Sequence, residues 1–175
     1  MHIIIDGYNL IRQSVVWRRF ERQSLEAGRN ALIASLAAYR RIKGHKITII
    51  FDGWESGSAQ EERDYQAGIN LIYSRRGEKA DEVIKRIITH ADEEIVVVSS
   101  DHEISSHAVR RGKTALSSPE FEIIINKTSA SASPGDEMPP QKDDEDATER
   151  IFNKKGPAHR LSRAQRLAQT KLKKL

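Results

Sequence analysis

The stretch MHIIIDGYNLI, residues 1–11, begins with a run of apolar side chains that ends abruptly at an aspartate. His2–Ile5 shows no alternation of polar and apolar residues, and continuous apolar runs of this kind are typical of strands buried on both faces of a parallel sheet. Asp6 follows the run without a spacer. An acidic group at the tip of the first buried strand raises the question of what stands at the ends of the other strands.

The segments after residue 11 alternate between helix-like and strand-like patterns. The predicted strands are 46–51, 69–73, 94–99 and a short 114–116, and the predicted helices are 24–43, 80–90 and 101–111. Residues 54–67 are polar and contain glycine and serine, which predicts a long loop. Residues 117–125 combine a helix start with strand-forming isoleucines, so helix and strand both stay open there. This order predicts an α/β fold whose mainly parallel sheet is covered by helices on both faces.

The composition limits the classes of function. Of the 175 residues, 38% are hydrophobic and 31% are charged, and none is a cysteine. The lack of cysteine excludes disulfides, thiolate zinc sites and cysteine nucleophiles. No apolar run approaches the roughly 18 residues of a membrane span, and Asp6 interrupts the first run too early for a signal peptide. We therefore expect a cytoplasmic protein without a membrane partner.

The charges are distributed unevenly along the chain. Residues 1–127 hold 19 basic and 18 acidic side chains. Residues 128–149 hold one basic and seven acidic side chains, and residues 150–175 hold nine basic side chains and no acidic one. We expect an α/β domain over 1–127, a disordered acidic linker over 128–149 and a basic amphipathic tail over 150–175. Such a tail attracts phosphate backbones. The tail residues expected to contact RNA are Arg160, Arg163, Arg166 and Lys171.

Three further aspartates occupy positions that correspond to Asp6. Asp52 follows the strand 46–51, Asp101 follows the strand 94–99, and Asp81 begins the helix after the third strand. The carboxyl ends of parallel strands line one edge of a sheet, so the four carboxylates are expected to converge there. Clustered carboxylates repel one another unless a hard cation lies among them, which makes the four aspartates candidate ligands of Mg²⁺ or Mn²⁺. A metal so placed can activate water against a phosphodiester.

Each of these residues also has a purely structural interpretation. An aspartate after a strand commonly caps a helix, as Asp101 does if the next helix begins there, and Asp52 with the following glycine is a good turn dipeptide. Asp81 in a first helical turn is favoured by the helix dipole. Asn9 can orient a phosphate or a metal-bound water, or it can cap a local turn. The recurrence of aspartate at matching positions favours a site.

Basic side chains near this edge are the candidates for attracting RNA. Trp17 and Phe20 alternate with some of them, and basic groups interleaved with aromatic rings suit single-stranded RNA. In the alternative interpretation, this segment is a solvated amphipathic helix whose two aromatic side chains pack on the core. The direction of Arg29, on the predicted helix 24–43, stays open. The candidate RNA-binding residues of the domain are Arg12, Arg18, Arg19, Arg75, Arg76 and Lys79.

Four motifs together resemble the NYN domain family, in particular its YacP-like bacterial branch. They are IIIDGYNLI, TIIFDGWES, RRGEKADEVI and VVVSSDHEI, in that order within residues 1–127. The resemblance implies a PIN-like fold, a three-layer sandwich with an acidic metal site at the carboxyl edge of the sheet. It also implies a metal-dependent ribonuclease in which Asp6, Asp81 and Asp101 hold the metal, Asp52 lies near it and Asn9 supports it. Association with ribosomes and translated messenger RNA is a further implication.

The resulting hypothesis is a metal-dependent endoribonuclease that cleaves single-stranded RNA, including messenger RNA on the ribosome, through attack of a metal-activated water. Asp6, Asp81, Asp101 and Asn9 are its expected catalytic residues, and Asp52 joins the three aspartates as a metal ligand. The alternative is a non-catalytic RNA- or ribosome-binding module, which predicts that Asp6→Asn and metal removal have no effect. A toxin of a toxin–antitoxin pair is a third candidate, which growth arrest on expression would indicate.

Overall fold

The computed structural model describes residues 1–53 and 58–131, and the helices and strands below are those of this part of the chain. The strands are β1 (His2–Asp6), β2 (Lys46–Phe51), β3 (Glu62–Gln66), β4 (Ile69–Tyr73), β5 (Ile95–Val98) and β6 (Thr114–Leu116). The helices are α1 (Gly7–Gln13), α2 (Val15–Glu21), α3 (Leu25–Lys43), α4 (Ala80–His90), α5 (His102–Arg110) and α6 (Ser118–Ser131).

The six strands form one sheet in the order β3-β4-β2-β1-β5-β6. All neighbours are parallel except β3, which runs antiparallel to β4 at the edge. From β1 the chain builds outward through β2 to β4, and then it crosses back to β5 on the other side of β1. The strand order therefore reverses between β1 and β5, and ligands of open α/β sheets bind beyond the carboxyl ends of the strands at such a point.

Helices cover both faces of the sheet, which confirms the predicted three-layer α/β architecture. Successive residues of β1 face opposite layers: Ile3 and Ile5 pack with α1, α2, α3 and α6, whereas Ile4 packs with α4 and α5. All five residues of β1 are buried. This burial explains the uninterrupted apolar pattern, because a central strand covered on both sides has no solvent-facing position.

Three segments correct or complete the sequence prediction. The loop predicted over 54–67 is wrong for Glu62–Gln66, which pairs with β4 as strand β3 although all five of its residues are exposed. Residues 7–21 form two short helices joined at Ser14, which ends α1 and whose hydroxyl accepts hydrogen bonds from the first turn of α2. The open choice for 117–125 is settled in favour of the helix α6, because Phe121 and Ile125 recur at the four-residue spacing that buries one face.

The helix α6 continues to Ser131, so the predicted disordered linker begins too early, because residues 128–131 are helical. Thr128 is buried in this last part of the helix, and its hydroxyl donates a hydrogen bond to the carbonyl of Ile124. The rest of the linker and the basic tail lie outside the described residues. Within the described ranges, no helix is both long and apolar enough to cross a membrane.

Candidate active site at the carboxyl edge of the sheet

Asp6 ends the central strand β1 and caps helix α1. Its Oδ1 accepts a hydrogen bond of 3.1 Å from the backbone N–H of Asn9, which is the capping geometry that the structural interpretation predicts. Its Oδ2 accepts a second hydrogen bond of 3.2 Å from the hydroxyl of Ser99, at the end of β5. Only 7% of Asp6 is exposed. The side chain thus joins β1 to β5 at the point where the strand order reverses.

Asn9 is fixed by two donors from other parts of the chain. The backbone N–H of Ser100 donates to its Oδ1 over 2.9 Å, and the hydroxyl of the fully buried Ser118 donates over 2.8 Å. A backbone N–H can only donate, so the atom it contacts is the amide oxygen and not the nitrogen. The two N–H donors of the Asn9 amide are therefore turned away from these partners, ready to meet an acceptor.

Asp52 links the end of β2 to the start of α4. Helix α4 begins after Lys79, which provides no side-chain cap. Instead, the Oδ1 of Asp52 accepts a hydrogen bond of 2.6 Å from the backbone N–H of Ala80. A carboxylate at this position satisfies a helix donor that would otherwise be free, and the positive end of the helix dipole favours its charge. The same contact places Asp52 next to Asp81, the second residue of α4.

Asp101 caps α5 in the way that Asp6 caps α1. Its Oδ1 accepts hydrogen bonds from the backbone N–H groups of Glu103, at 2.6 Å, and Ile104, at 3.1 Å. Asp81 differs from the other three aspartates, since it accepts no hydrogen bond from any described residue. The capping interpretation is therefore correct for Asp6 and Asp101. Asp52, for which the structural interpretation was a turn with Gly53, caps helix α4. In each of these three residues, capping engages a single carboxylate oxygen.

The four carboxylates interact electrostatically across the edge of the sheet. Burial raises the pKa of Asp6 to about 6, and the charges of Asp81 and Asp52 act in the same direction against the hydrogen bonds from Asn9 and Ser99. Burial also raises the pKa of Asp81, and the charges of Asp101 and Asp52 add to that effect. Sequence-distant carboxylates thus stand near enough to repel one another, as expected from their strand-end positions.

Among the described residues, no three His, Cys, Asp or Glu side chains are arranged to hold a metal ion directly. The chemistry of the four aspartates nevertheless suits Mg²⁺ or Mn²⁺, because carboxylate oxygens are hard donors and these carboxylates repel one another across the edge of the sheet. Mg²⁺ in particular keeps several of its waters and needs only one or two protein carboxylates. Asp81 and the oxygens of Asp52 and Asp101 that do no capping are the groups with free acceptor capacity.

The predicted RNA-binding residues of the domain have different environments. Arg76 and Lys79 line a cavity of about 620 Å³ together with Asp52 and Asp81, and neither forms an ion pair with a described residue. Arg75 is paired with Glu78, with 3.3 Å between Nε and Oε2. Two of the three cations expected before Asp81 are thus beside the acidic cluster and unpaired within the described part.

The segment after Asn9 is partly corrected by the structure. Trp17 is buried, and its ring N–H donates to the hydroxyl of Ser35 over 3.2 Å, so stacking of this ring on RNA is wrong. Phe20 is exposed, as are Arg18 and Arg19, which form no ion pair with a described residue. Arg12 pairs with Glu21 at 3.1 Å and lies over the Tyr8 ring.

The RNA-binding role proposed for the tail residues Arg160, Arg163, Arg166 and Lys171 falls on positions outside the described part of the chain.

Sequence reasoning missed two groups that shape this edge. Ser99 and Ser118 hold Asp6 and Asn9 in place, but a serine after a strand or before a proline carries no signal beyond helix capping. Arg29 was left open, and in the structure its Nη1 donates to the hydroxyl of Tyr8 over 3.0 Å. The available signal was its position between Leu25 and Leu32 on the inward face of α3. A cation on that face is costly unless it has a polar partner, so the position indicated a specific contact.

Comparison with known proteins identifies the family and supports the fold. The YacP-like NYN domain family matches residues 3–174. The uncharacterized protein YacP of Bacillus subtilis (strain 168) is 25% identical over 103 residues, which are 57% of this chain and 60% of that protein. Two crystal structures of Rae1 (YacP) from Bacillus subtilis, one of a mutant form, align with TM-scores of 0.63 and 0.61 at 21% identity. The alignments cover 75% of this chain and 76% and 77% of theirs, and they show the same fold. The chain belongs to the YacP-like NYN domain family, a family of PIN-like nucleases.

Proposed function

We propose that this protein is a metal-dependent endoribonuclease that cleaves single-stranded RNA at the carboxyl edge of its sheet. Membership of a PIN-like nuclease family supports hydrolysis of a phosphodiester. The proposal adds the divalent ion, the single-stranded substrate, internal cleavage and the residues that do the work. Asp6, Asp52, Asp81 and Asp101 are the proposed metal-binding residues, and Asn9 is the proposed ligand of the scissile phosphate.

The observation that carries the proposal is the buried carboxylate of Asp6, which is repelled by the more exposed carboxylates of Asp81 and Asp52. A carboxylate that is 93% buried and lies near two other aspartates reduces the stability of the fold when it is ionised. Three of the aspartates could cap their helices as serine or asparagine without this penalty. An RNA-binding surface would also gain nothing from negative charge facing phosphate. A divalent cation bound among the carboxylates would remove the repulsion, and holding that cation would be the function of the cluster.

The chain's own residues then divide the work of cleavage. When bound, the divalent ion would supply an activated water and neutralise charge on the phosphodiester. The amide N–H donors of Asn9, aimed away from Ser100 and Ser118, bind a non-bridging phosphate oxygen. Arg76 and Lys79 attract the RNA backbone to the cavity that contains Asp81. Ser99 keeps the Asp6 carboxylate turned toward β5.

Incubation of the purified protein with a circular, unstructured RNA tests the proposal, because only an endonuclease opens a circle. We expect linear product with Mn²⁺ or Mg²⁺ and none with a chelator. Asp6→Asn and Asp81→Asn should each lower the rate at least 100-fold, while Asp92→Asn, an exposed aspartate at the opposite edge of the sheet, should not. Thermal unfolding gives a second readout, since added Mn²⁺ should raise the Tm of the wild type more than that of Asp81→Asn.

Two outcomes would contradict the proposal. Cleavage that persists in the chelator and in both aspartate variants would point to a contaminating nuclease or to other chemistry. Tight RNA binding without any cleavage, unaffected by Asp6→Asn, would favour the non-catalytic RNA- or ribosome-binding module. The proposal also includes association with ribosomes, a cytoplasmic location and action on translated messenger RNA. Cosedimentation of the protein with ribosomes tests the association, with Ca²⁺ in place of Mg²⁺ or Mn²⁺ to limit cleavage during the experiment.

A further inference from the structure

A second cavity adjoins the acidic cluster on the other side of Asp52. It measures about 590 Å³, and its walls include Tyr8, Arg29 and Tyr73. Asp52 and Gly53 line both this cavity and the one that contains Asp81, Arg76 and Lys79. They therefore form a ridge between two adjacent depressions. A single strand that crossed this ridge would place a phosphodiester on the acidic side and the neighbouring nucleotide on the side of Arg29.

The aromatic wall of this second cavity is fixed by ring contacts. Tyr8 meets Phe51 edge to face, with ring centroids 5.2 Å apart, and Phe51 stacks on Tyr73 at 5.7 Å. Tyr8 and Phe51 are buried, and Tyr73 is half-buried. The wall is thus built before any ligand arrives. The cavity combines aromatic rings on one side with charged and amide side chains around them, namely Arg29, Glu26, Glu62 and Gln60. Aromatic walls with polar groups placed beside them can hold the face of a base and read its edge.

Arg29 is held in this cavity without a carboxylate partner among the described residues. Its Nη1 donates to the hydroxyl of Tyr8 over 3.0 Å, and its guanidinium lies over the ring of Tyr73, 5.7 Å from the centroid. By contrast, Arg75 and Arg86 pair with glutamates. The Tyr8 contact uses one of the five N–H donors of Arg29, so four remain for a ligand. The carboxylates of Glu26 and Glu62 line the same cavity and supply acceptors.

We propose that this cavity binds one unpaired guanine of the RNA next to the cleaved phosphodiester; the inference rests on the proposed ribonuclease function and names its base specificity. Guanine presents O6 and N7 as adjacent acceptors, which match the planar guanidinium of Arg29. Its N1–H and N2–H groups donate to a carboxylate of the cavity. Adenine places an amino donor where guanine has O6, and that donor would face the N–H groups of Arg29. Pyrimidines lack N7.

Binding in a chelator tests the subsite without requiring cleavage. The probes are fluorescent hexauridylates that carry one guanosine, adenosine or 7-deazaguanosine at an internal position. We expect the wild type to bind the guanosine probe about tenfold more tightly than the adenosine probe, with 7-deazaguanosine in between. Arg29→Gln should reduce this preference to less than twofold. Arg41→Gln, an exposed arginine at the other end of the same helix, should keep it. If Arg29→Gln does not fold, Tyr8→Phe replaces it, since that change removes the hydroxyl that orients Arg29 and keeps the ring.

Arg29 has one competing role, that of a simple phosphate contact. In that case Arg29→Gln weakens the binding of all three probes equally. It also lowers the slope of log affinity against log salt by the amount expected for about one phosphate contact. That result overturns the guanine subsite, as does a guanine preference that survives both Arg29→Gln and Tyr8→Phe.

Cleavage of a polyuridylate with a single guanosine at successive positions separates this inference from the proposed function. If both hold, the cut moves with the guanosine at a fixed offset in the wild type and not in Arg29→Gln. Metal-dependent cuts without regard to the guanosine overturn the subsite and leave the nuclease proposal standing. Guanine-dependent binding without cleavage under any metal condition overturns the nuclease proposal and leaves the guanine subsite standing.

Discussion

Asp6 combines a structural task with a charge that the fold does not favour. Its two hydrogen bonds, from Asn9 and Ser99, stabilise the ionised form, but burial and the nearby charges of Asp81 and Asp52 outweigh them. The result is a pKa of about 6 in the folded protein, against 3.8 when unperturbed. A residue retained at a position where its charge opposes folding is typical of functional sites, where stability is given up for activity.

The raised pKa predicts that the metal-free protein loses stability as the pH rises. The folded state holds the Asp6 proton to a higher pH than the unfolded state does, so it binds more protons between about pH 4 and pH 6. The free energy of unfolding therefore falls through this window. The 3.8-to-6 difference corresponds to at most about 3 kcal/mol, fully lost above pH 6. Asp81, whose pKa is also raised, acts in the same direction.

Asp6→Asn should remove most of this pH dependence. We expect the variant to be about 1–2 kcal/mol more stable than the wild type at pH 7 in a chelator, less than the full value because Asn9 and Ser99 must adapt to an amide. Urea unfolding at pH 4, 5, 6 and 7 measures the effect, with Asp92→Asn as the exposed control. A variant that is less stable than the wild type at pH 7, or one with an unchanged pH slope, would refute this account of Asp6.

Asn9→Asp separates the acceptor and donor roles of that side chain. The aspartate keeps an oxygen for Ser100 and Ser118 but has no N–H donor and adds negative charge beside Asp6. We expect RNA cleavage to fall by about 10²–10³, the usual loss when one donor to a developing oxyanion is removed. Circular dichroism should show an intact fold. Full activity of Asn9→Asp would mean that Asn9 serves only to tie α1 to Ser100 and to α6.

At the scale of elements, what could be predicted depended on burial. The strands β1, β2, β4 and β5 were predictable because buried strands carry uninterrupted apolar runs. The ends of β1, β2 and β5 located Asp6, Asp52 and Asp101, and the start of the helix after β4 located Asp81. The strand β3 was not predictable, since an exposed edge strand needs no apolar face. Its turn is also unusual: Ala67 and Gly68 both have positive φ, and alanine in place of asparagine or aspartate hides the hairpin signal.

The site was predictable only in part for a related reason. Aspartates at strand ends stand out because carboxylates are rare beside buried runs. Ser118, Ser99 and Arg29 do not, because their roles depend on contacts with residues 18 to 109 positions away in sequence. No local pattern records such contacts. For Trp17 and Phe20 the sequence left stacking on RNA and packing on the core both open, because the alternation with arginines fits either. The packing of α2 on α3 buries Trp17, as the second interpretation predicts, and leaves Phe20 exposed.

Gly53, which follows β2, lies against Ser74, which follows β4, and this close approach predicts that Gly53→Ala lowers both stability and activity. A Cβ at this position would lie 1.7 Å from the carbonyl oxygen of Ser74, so the backbone after Asp52 must move. The backbone N–H of Gly53 also donates to the Ser74 hydroxyl over 2.7 Å, and that contact would be strained. We expect a loss of about 2–3 kcal/mol in unfolding free energy and a marked loss of cleavage, because Asp52 is displaced.

Gly112→Ala is the matched control for this prediction. Gly112 has a φ of +69° and open space around its Cα, so alanine meets no neighbour there. The substitution should reduce the free energy of unfolding by about 1 kcal/mol through backbone strain alone and leave RNA cleavage unchanged. Equal effects of the two substitutions on activity would show that the position of Asp52 is not important for the reaction.

At the scale of the whole molecule, the charge distribution predicts that attraction of RNA and its proposed cleavage depend on different parts of the chain. Residues 1–127 are nearly neutral, with 19 basic and 18 acidic side chains, and the proposed site is itself acidic. Such a body has little long-range attraction for a polyanion, and Arg76 and Lys79 act only at close range. The nine basic residues of 150–175, without an acid among them, are the strongest source of attraction in the chain. Affinity for RNA should therefore depend on the tail, and the rate of cleavage on the domain.

Exchange of the tail residues Arg160, Arg163, Arg166 and Lys171 for glutamine tests this division in the full-length chain. Each phosphate contact on a single strand contributes about 0.7 to the slope of log affinity against log salt, so the slope should fall by about 2–3. The turnover rate at saturating RNA should stay within about twofold, because no group of the acidic cluster is changed. The control exchanges four basic residues at the C-terminal ends of α3 and α5, at the opposite edge of the sheet: Arg41, Lys43, Arg110 and Arg111. If the two quadruple variants lose affinity and salt dependence equally, only net charge matters and the tail has no special part in binding. If the tail variant loses turnover as well as affinity, the tail positions the substrate in the site, and the separation of attraction from cleavage is wrong.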